Sequence, residues 1–333
     1  MKTGSQDMAL SERAVTKLLR FSEGFLSATV MKLAKFIVHL FTFTSTLKMA
    51  SFALKIKSKS PKTIEEKILY KMQHDRNPSL KIFSDKIQVR GFVQKEIGEE
   101  FLTKSLGEYS SLKGLNRVEF PRNFVIKANH GSGASVICWE GAPRGKRLPS
   151  HLANITWQRF FLHPDDLIWN DLQNLAEKWL TLEYYWFSGK LPEWAYLEIN
   201  PQLIAEEVLT KNNELAEDYK FFMFDGRCEF IQVDISKFSD HRRNFYKPDW
   251  TRIYAEILYP ASEVVQERPR SLEKMLEISS KISKGIDFMR VDLYDSDQGI
   301  KFGEITNYPG CGTKTMRPRK TSIELANKWL QNY

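Results

Sequence analysis

Two short runs near the carboxyl end alternate apolar and polar residues: Arg290–Tyr294 and Phe302–Asn307, separated by the stretch DSDQG, Asp295–Gly299. Period-two alternation predicts strands, and the small polar residues between them predict a hairpin turn. A second hairpin is predicted over Tyr219–Asp234 (YKFFMFDGRCEFIQVD), turning at Asp225-Gly226. Phe124–Ala128 reads as an apolar strand carrying one lysine, and the small residues Asn129–Ala134 follow it as a loop. Ile204–Leu209 reads as a further strand, interrupted by Glu206 and Glu207. Helical periodicity covers 63–77, where Pro78 blocks continuation, and 164–182, where Pro164 and Asp165 give the start signal. Ser84 or Asp85 is expected to cap a helix holding Lys86, Arg90 and Phe92. Ser271–Lys284 is predicted as a helix with a serine cap and Gly285 just past its end. His241–Trp250 reads as a basic, aromatic loop. Helices and strands alternate in groups without an internal repeat, which predicts an α+β fold with mostly antiparallel sheets.

Composition then narrows the class. The 333 residues are enough for two or three lobes, and 42% hydrophobic with 13% aromatic content describes an ordered globular protein. Cys138, Cys228 and Cys311 stand far apart in no metal-binding spacing, which favours a reducing, cytoplasmic setting. The net charge of +8 is uneven, with +7 in residues 1–60 and +1 in the rest. A basic body made for nucleic acid is therefore not indicated. Within the basic segment, Phe36–Leu47 is uncharged but only 12 residues long, too short for a bilayer that needs about 20. It begins too late, and lacks the cleavage site, for a signal peptide. Residues 1–60 are thus expected to be a basic amphipathic helical segment. It either lies on an anionic membrane surface at the inner face of the membrane, or packs on the body or in a dimer interface. The polar stretch KSKSPK, Lys57–Lys62, separates it from the body.

Candidate chemistry follows from what the strands carry. Pairing the last two strands sets Asp292 beside Glu304, and like charges so close need compensation, for which Mg²⁺ with phosphate oxygens is suited. Arg290 shares their face and can reach such a phosphate. An exposed hairpin with a surface ion pair remains the alternative. Lys127, on its apolar strand, is expected to face an anion. Gly131 and Gly133 with Ser132 and Ser135 form a loop able to aim N–H and hydroxyl donors at phosphate, the alternative being a flexible hairpin tip. Asp295-Ser296-Asp297 has the spacing of a glycosyltransferase metal motif, although it falls where a turn favours these same residues.

In this order the residues resemble the ATP-grasp superfamily: Asp85-Lys86, the strand and loop Val125–Ala134, the acidic Glu206-Glu207-Val208-Leu209, and a terminal hairpin with Arg290-Val291-Asp292 and Gly303-Glu304. Asp218–Phe222 (DYKFF), Asn244-Phe245-Tyr246, Phe302–Thr306 and Tyr308-Pro309-Gly310 are similar to its TupA-like branch, of teichuronopeptide biosynthesis, over about residues 61–320. The resemblance implies an ATP-grasp fold, two lobes with antiparallel sheets clamping ATP, divided as 61–120, a lid subdomain 121–205, and 206–333. It implies that Lys86, Lys127 and the loop Gly131–Ser135 hold phosphates, that Glu206 and Glu207 line the adenine hinge, and that Asp218 accepts from ribose. Asp292 and Glu304 would bind Mg²⁺, and Arg290 and Lys220 would be the catalytic cations. Asn307 would be a third metal contact; many relatives carry Asn at the position of Thr306, so Asn307 needs a bulge to reach the metal. The implied reaction joins an amine to a carboxylate through an acyl phosphate, in assembly of a cell-surface polysaccharide precursor. Arg242, Arg243 and Lys247 are the candidates for the substrate carboxylate. A glycosyltransferase, or a non-catalytic nucleotide-binding protein at a membrane, are the competing functions.

Overall fold

Thr63 caps the first helix with a reciprocal pair of hydrogen bonds, its hydroxyl accepting from the Glu66 amide while the Glu66 carboxylate accepts from the Thr63 amide. The computed structural model describes residues 61–184, 193–235 and 240–331, all within the compact unit Ile56–Tyr333. The segment 1–60, with its membrane expectation, lies outside the described residues. Helix α1 (Ile64–His74) ends as expected before Pro78, which instead starts the short α2 (Ser79–Ser84). Asp85 accepts from the amides of Ile87 and Gln88 at the head of α3 (Gln88–Ile97), so Lys86 sits in the turn before that helix rather than inside it.

Five strands form the first sheet: β1 (Ser105–Tyr109), β2 (Phe124–Ala128), β3 (Ser135–Cys138), β4 (Arg159–Leu162) and β5 (Leu203–Glu206), in the order β1-β5-β2-β3-β4. All neighbours are antiparallel except β3 and β4. Phe124, Ile126 and Ala128 alternate onto one face, where α4 (Trp169–Leu180) covers them with Leu172, Leu175, Ala176 and Trp179. Each of these large apolar side chains contributes roughly 1.5–3 kcal/mol when fully buried. Helix α4 is preceded by a separate 3₁₀ turn at Pro164–Asp166, so the helix expected over 164–182 begins later than its start signal. A two-stranded hairpin, β6 (Thr210–Lys211) and β7 (Glu214–Leu215), follows β5.

The second sheet is wholly antiparallel. It comprises β8 (Glu217–Phe224), β9 (Arg227–Ile235), β10 (Arg242–Tyr246), β11 (Arg252–Ile253), β12 (Met289–Ser296) and β13 (Gly299–Thr306), in the order β11-β10-β9-β8-β12-β13. Its apolar face, including Tyr219, Phe221, Val291 and Leu293, is buried, and α5 (Leu272–Ser283) packs on this sheet with Met275, Ile278 and Ile282 turned inward. Ser271 stands at the head of α5, but its hydroxyl makes no capping bond. The first half of the expected loop at His241–Trp250 is strand β10, anchored by Asn244, which is 1% exposed and donates to the Val264 carbonyl. Helix α6 (Arg319–Ala326) returns to pack against α1.

Register within the last hairpin carries one irregularity. Asp292 pairs with Glu304 and Leu293 with Phe302, leaving Gly303 as an unpaired extra residue. A side chain there would meet the Tyr294 ring at 2.8 Å and the Asp292 carbonyl at 3.0 Å, so only glycine fits.

Candidate active site

Strand pairing lays the candidate residues out in rows. On the five-stranded sheet Lys127 pairs with Ser135 and Ser135 with Arg159, so the three stand abreast on one face. Two residues along, Val125, Ile137 and Phe161 form a parallel apolar row by the same pairing. On the six-stranded sheet Gln232, Lys220, Asp292 and Glu304 are successive partners across four strands. The two polar rows, Gln232 apart, line a cavity of about 370 Å³, joined by Lys86, Asp218, Asp234, Arg290 and Tyr294. A second cavity of about 270 Å³ adjoins it. It is lined by the apolar row, by Glu206–Leu209, and by Leu215 and Ala216. The result is a slot, apolar at the end by β5 and the residues that follow it and charged at the other.

The charged end is densely paired. Arg290 donates from Nε to Asp292 Oδ1 at 2.7 Å, and from Nη2 to Asp292 Oδ2 at 2.8 Å and Glu304 Oε1 at 2.9 Å. Lys220 forms an ion pair with Asp218 and lies 3.4 Å from Asp234 Oδ2 and 3.9 Å from Asp292 Oδ2. Burial pushes the Asp292 carboxyl up, against the opposing pull of Arg290 and Lys220. Burial also pushes Glu304 up, but Arg290, Lys86, Arg159 and Lys220 together outweigh it and hold Glu304 at about 2. Burial pushes Lys220 down. Two oxygen-bearing side chains on adjacent strands, both already facing a cation, fit Mg²⁺, which takes one or two carboxylates and completes its shell with phosphate and water. Among the described residues no group of three or more His, Cys, Asp or Glu side chains is placed to hold a metal.

Lys127 donates to Glu206 Oε2 at 2.5 Å, and Arg90 donates to Glu206 Oε1 at 2.7 Å, so Glu206 clamps the lysine at the end of β5. Glu207 pairs with Lys104 at 2.9 Å. Lys86 donates to the Gly131 carbonyl and thereby ties the turn before α3 to the small-residue loop. Desolvation pushes Lys86 down to about 8, against the pull of Glu304. Gly133 has φ of +103°, and a Cβ there would lie 2.4 Å from the Trp157 carbonyl oxygen, so the loop rests directly on the approach to β4. Ser135 donates its hydroxyl to the Gly133 carbonyl at 3.1 Å, and Ser132 bonds Tyr184.

Other candidates stand apart from the cavity. Asn307 donates to the Leu80 carbonyl at 2.8 Å and to the Ser84 hydroxyl at 2.9 Å, on the far side of its strand from Glu304. The bulge at Gly303 precedes Glu304, so it does not turn Asn307 round. Arg242 pairs with Asp240 at 2.8 Å, and Lys247 is exposed beyond β10. Arg243 reaches the cavity edge only through Asp234, to which it donates at 2.6 Å. Asp295 pairs with Lys211, and Asp297 accepts from the Asn212 amide at 3.2 Å, so both ends of the DxD spacing fasten the turn to the β6–β7 hairpin. Arg159, Asp234, His241 and Tyr294 line the cavity without having been singled out in the sequence. Arg159 heads the short apolar run RFFL, and no local pattern marks it.

Two mostly antiparallel sheets enclosing a slot between a lysine-bearing strand and an acidic hairpin define an ATP-grasp fold. A family model described as TupA-like ATPgrasp matches residues 66–330, and the chain belongs to that family. A search of curated proteins returns no match. Among solved structures, D-alanine–D-alanine ligase from Bacillus anthracis is 16% identical, with 74% of this chain and 63% of that chain covered at a TM-score of 0.36. The ATP-grasp ligase PsnB, complexed with a phosphomimetic variant of its minimal precursor, Mg and ADP, is 8% identical, with 80% and 66% covered and a TM-score of 0.38. N5-carboxyaminoimidazole synthetase from Staphylococcus aureus complexed with ADP is 11% identical, with 68% and 44% covered and a TM-score of 0.32. The chain thus spans 63% of the D-alanine–D-alanine ligase it matches.

Proposed function

We propose that this protein is an ATP-dependent carboxylate–amine ligase, and that it attaches an amino acid or other amine to a carboxylated sugar or polysaccharide precursor of the cell surface. The observation that carries the reading is the facing of two rows: Lys127, Ser135 and Arg159 on one sheet, and Lys220, Asp292 and Glu304 on the other. Cations above and carboxylates below are what a metal-bound triphosphate needs, and the adjoining row Val125, Ile137 and Phe161 offers a flat apolar bed for a base. ATP with Mg²⁺ supplies an activated phosphoryl group. Lys86 and Lys127 hold its phosphate oxygens, Asp292 and Glu304 hold the metal, and Asp218 accepts from the sugar. Arg290 and Lys220 neutralise charge that builds up between the reactants. The substrate carboxylate leaves as an amide after passing through an acyl phosphate, so positioning and charge neutralisation suffice and no protein nucleophile is required.

The polysaccharide role rests on the family likeness of the motifs. No helix among the described residues is long and apolar enough to cross a membrane. We read residues 1–60, with their +7 charge and 12-residue apolar run, as a surface anchor holding a cytoplasmic enzyme at an anionic leaflet.

A matrix of amino acids against carboxylated sugars and sugar nucleotides, scored for Mg²⁺-dependent phosphate release, tests the ligase reading. Phosphate release that needs both an amine and a carboxylate supports it. A protein that binds no nucleotide with or without Mg²⁺ sinks it.

A further inference from the structure

Arg159 opens β4 and stands third in the row that begins with Lys127 and Ser135. Its neighbours in the cavity are all engaged. Lys127 is held by Glu206, Lys86 by the Gly131 carbonyl, Lys220 by Asp218, and Arg290 by Asp292 and Glu304. Among the described residues lining the cavity, Arg159 is the cation with neither an ion pair nor a hydrogen bond, and it is solvent-exposed although it lines both cavities. A guanidinium has five donors in a planar fork suited to paired oxyanion oxygens. Nothing on its own strand or on β3 offers it one.

Position within the row tells which oxyanion. Strands are about 4.8 Å apart, so Arg159 lies roughly 10 Å from Lys127, two strands further from the hinge strand β5. Arg159 also lines the cavity shared by Arg290, Asp292 and Glu304, which places its charge over the metal-binding end of the lower row. Gly133 leans on the Trp157 carbonyl, two residues before Arg159, so the small-residue loop and the arginine share one support.

We propose that Arg159 binds the terminal phosphate oxygens of a nucleoside triphosphate from the five-stranded sheet, opposite Arg290 on the six-stranded sheet. The inference rests on the ligase reading above and assigns the terminal phosphate of that site a ligand that the motifs do not include. Two arginines on opposite walls then hold the group that is transferred, one locked to the metal carboxylates and one unpaired until the nucleotide arrives.

The test is the affinity of the full-length protein, with Mg²⁺, for ADP and for a non-hydrolysable ATP analogue, compared between wild type, Arg159→Ala and Arg159→Lys. Arg159→Ala is expected to weaken the triphosphate analogue by about tenfold or more while ADP stays within about twofold, and Arg159→Lys to recover part of the loss. Because the Arg159 side chain is exposed and makes no hydrogen bond or ion pair within the described fold, circular dichroism and the thermal midpoint are expected to match wild type. Equal weakening of both nucleotides overturns the terminal position. Unchanged affinity for both, with a raised KM for the carboxylate substrate, overturns the assignment and gives Arg159 to the acceptor. Wild-type protein that binds neither nucleotide overturns the ligase reading and this assignment with it, whereas wild-type binding that Arg159→Ala leaves intact overturns only the assignment.

Discussion

Arg290 grips Asp292 with a two-pronged fork, Nε to Oδ1 at 2.7 Å and Nη2 to Oδ2 at 2.8 Å, and shares that second nitrogen with Glu304. From the sequence, Asp292 and Glu304 look like two equivalent, mutually repelling acids, either of which could lose its charge without harm to the fold. The fork makes them unequal. Asp292 is 3% exposed and shares its surroundings with Arg290 and Lys220, whereas Glu304 is half-buried and takes one of the three bonds.

Asp292→Asn should therefore abolish ATP turnover and also destabilise the protein, by about 3–5 kcal/mol as for a broken buried pair. Glu304→Gln should abolish turnover with a far smaller loss of stability, since Arg290 keeps its fork. Thermal unfolding and phosphate release on the two variants check this. Full turnover in either variant removes the metal assignment, and equal stability losses remove the asymmetry.

Lys127→Ala should lower ATP affinity or turnover by on the order of 10², the effect of a lost charge-assisted contact. Glu206→Gln, which frees Lys127 and Arg90 from their shared carboxylate, should weaken binding less, because the lysine itself remains. Titration calorimetry with ATP distinguishes the two. An unchanged affinity in Lys127→Ala would return this lysine to a structural role beside Glu206.

Gly133→Ala should disturb the phosphate loop without touching any charged group. The substitution forces an alanine to φ of +103° and drives its Cβ against the Trp157 carbonyl oxygen, so the loop has to move away from β4. The strain is about 1–2 kcal/mol, and triphosphate affinity should fall roughly tenfold with it, since 1.4 kcal/mol is a factor of ten. Wild-type affinity in this variant would show that the loop does not close on the nucleotide.

Lys86 gives the site a pH dependence. Desolvation brings its ammonium down to about 8, and only the charged form binds phosphate well, so ATP affinity should hold steady below pH 7 and weaken as pH rises through 8. The sign follows from a base with a lowered pKa, which loses its proton earlier than usual on the alkaline side. Bound phosphate favours the charged form, which limits the drop to within about tenfold. Arg in place of Lys86 stays charged and should flatten the profile. A wild-type affinity that is flat from pH 6 to about 9 would contradict the role.

What the sequence made legible was local and periodic. Lys127 stood out because one lysine in an apolar strand has few uses, and the Asp292–Glu304 pairing followed from alternation about an obvious turn. Strand β10 was missed because Arg242 and Arg243 begin it, and basic neighbours read as a loop; what makes it a strand is pairing with β9 and the buried amide of Asn244. Arg159 was missed because its importance comes from standing abreast of Ser135, a parallel pairing across more than twenty residues that no local pattern announces. Asn307 and the basic residues Arg242 and Lys247 were plausible by type, yet their neighbours are Leu80, Ser84, Asp240 and solvent.

The unpaired Gly303 is a phase change written into the hairpin. Strict alternation puts Phe302 and Glu304 on the same side of their strand, but the extra residue sends the phenyl ring inward with Leu293 and the carboxylate into the slot with Asp292. Which wall of the sheet receives the acid is thus decided by a residue with no side chain. Regular pairing through that glycine, with the bulge straightened and every residue kept, would return Glu304 to the side of Phe302 and out of the slot with every functional group of the motif still in the chain.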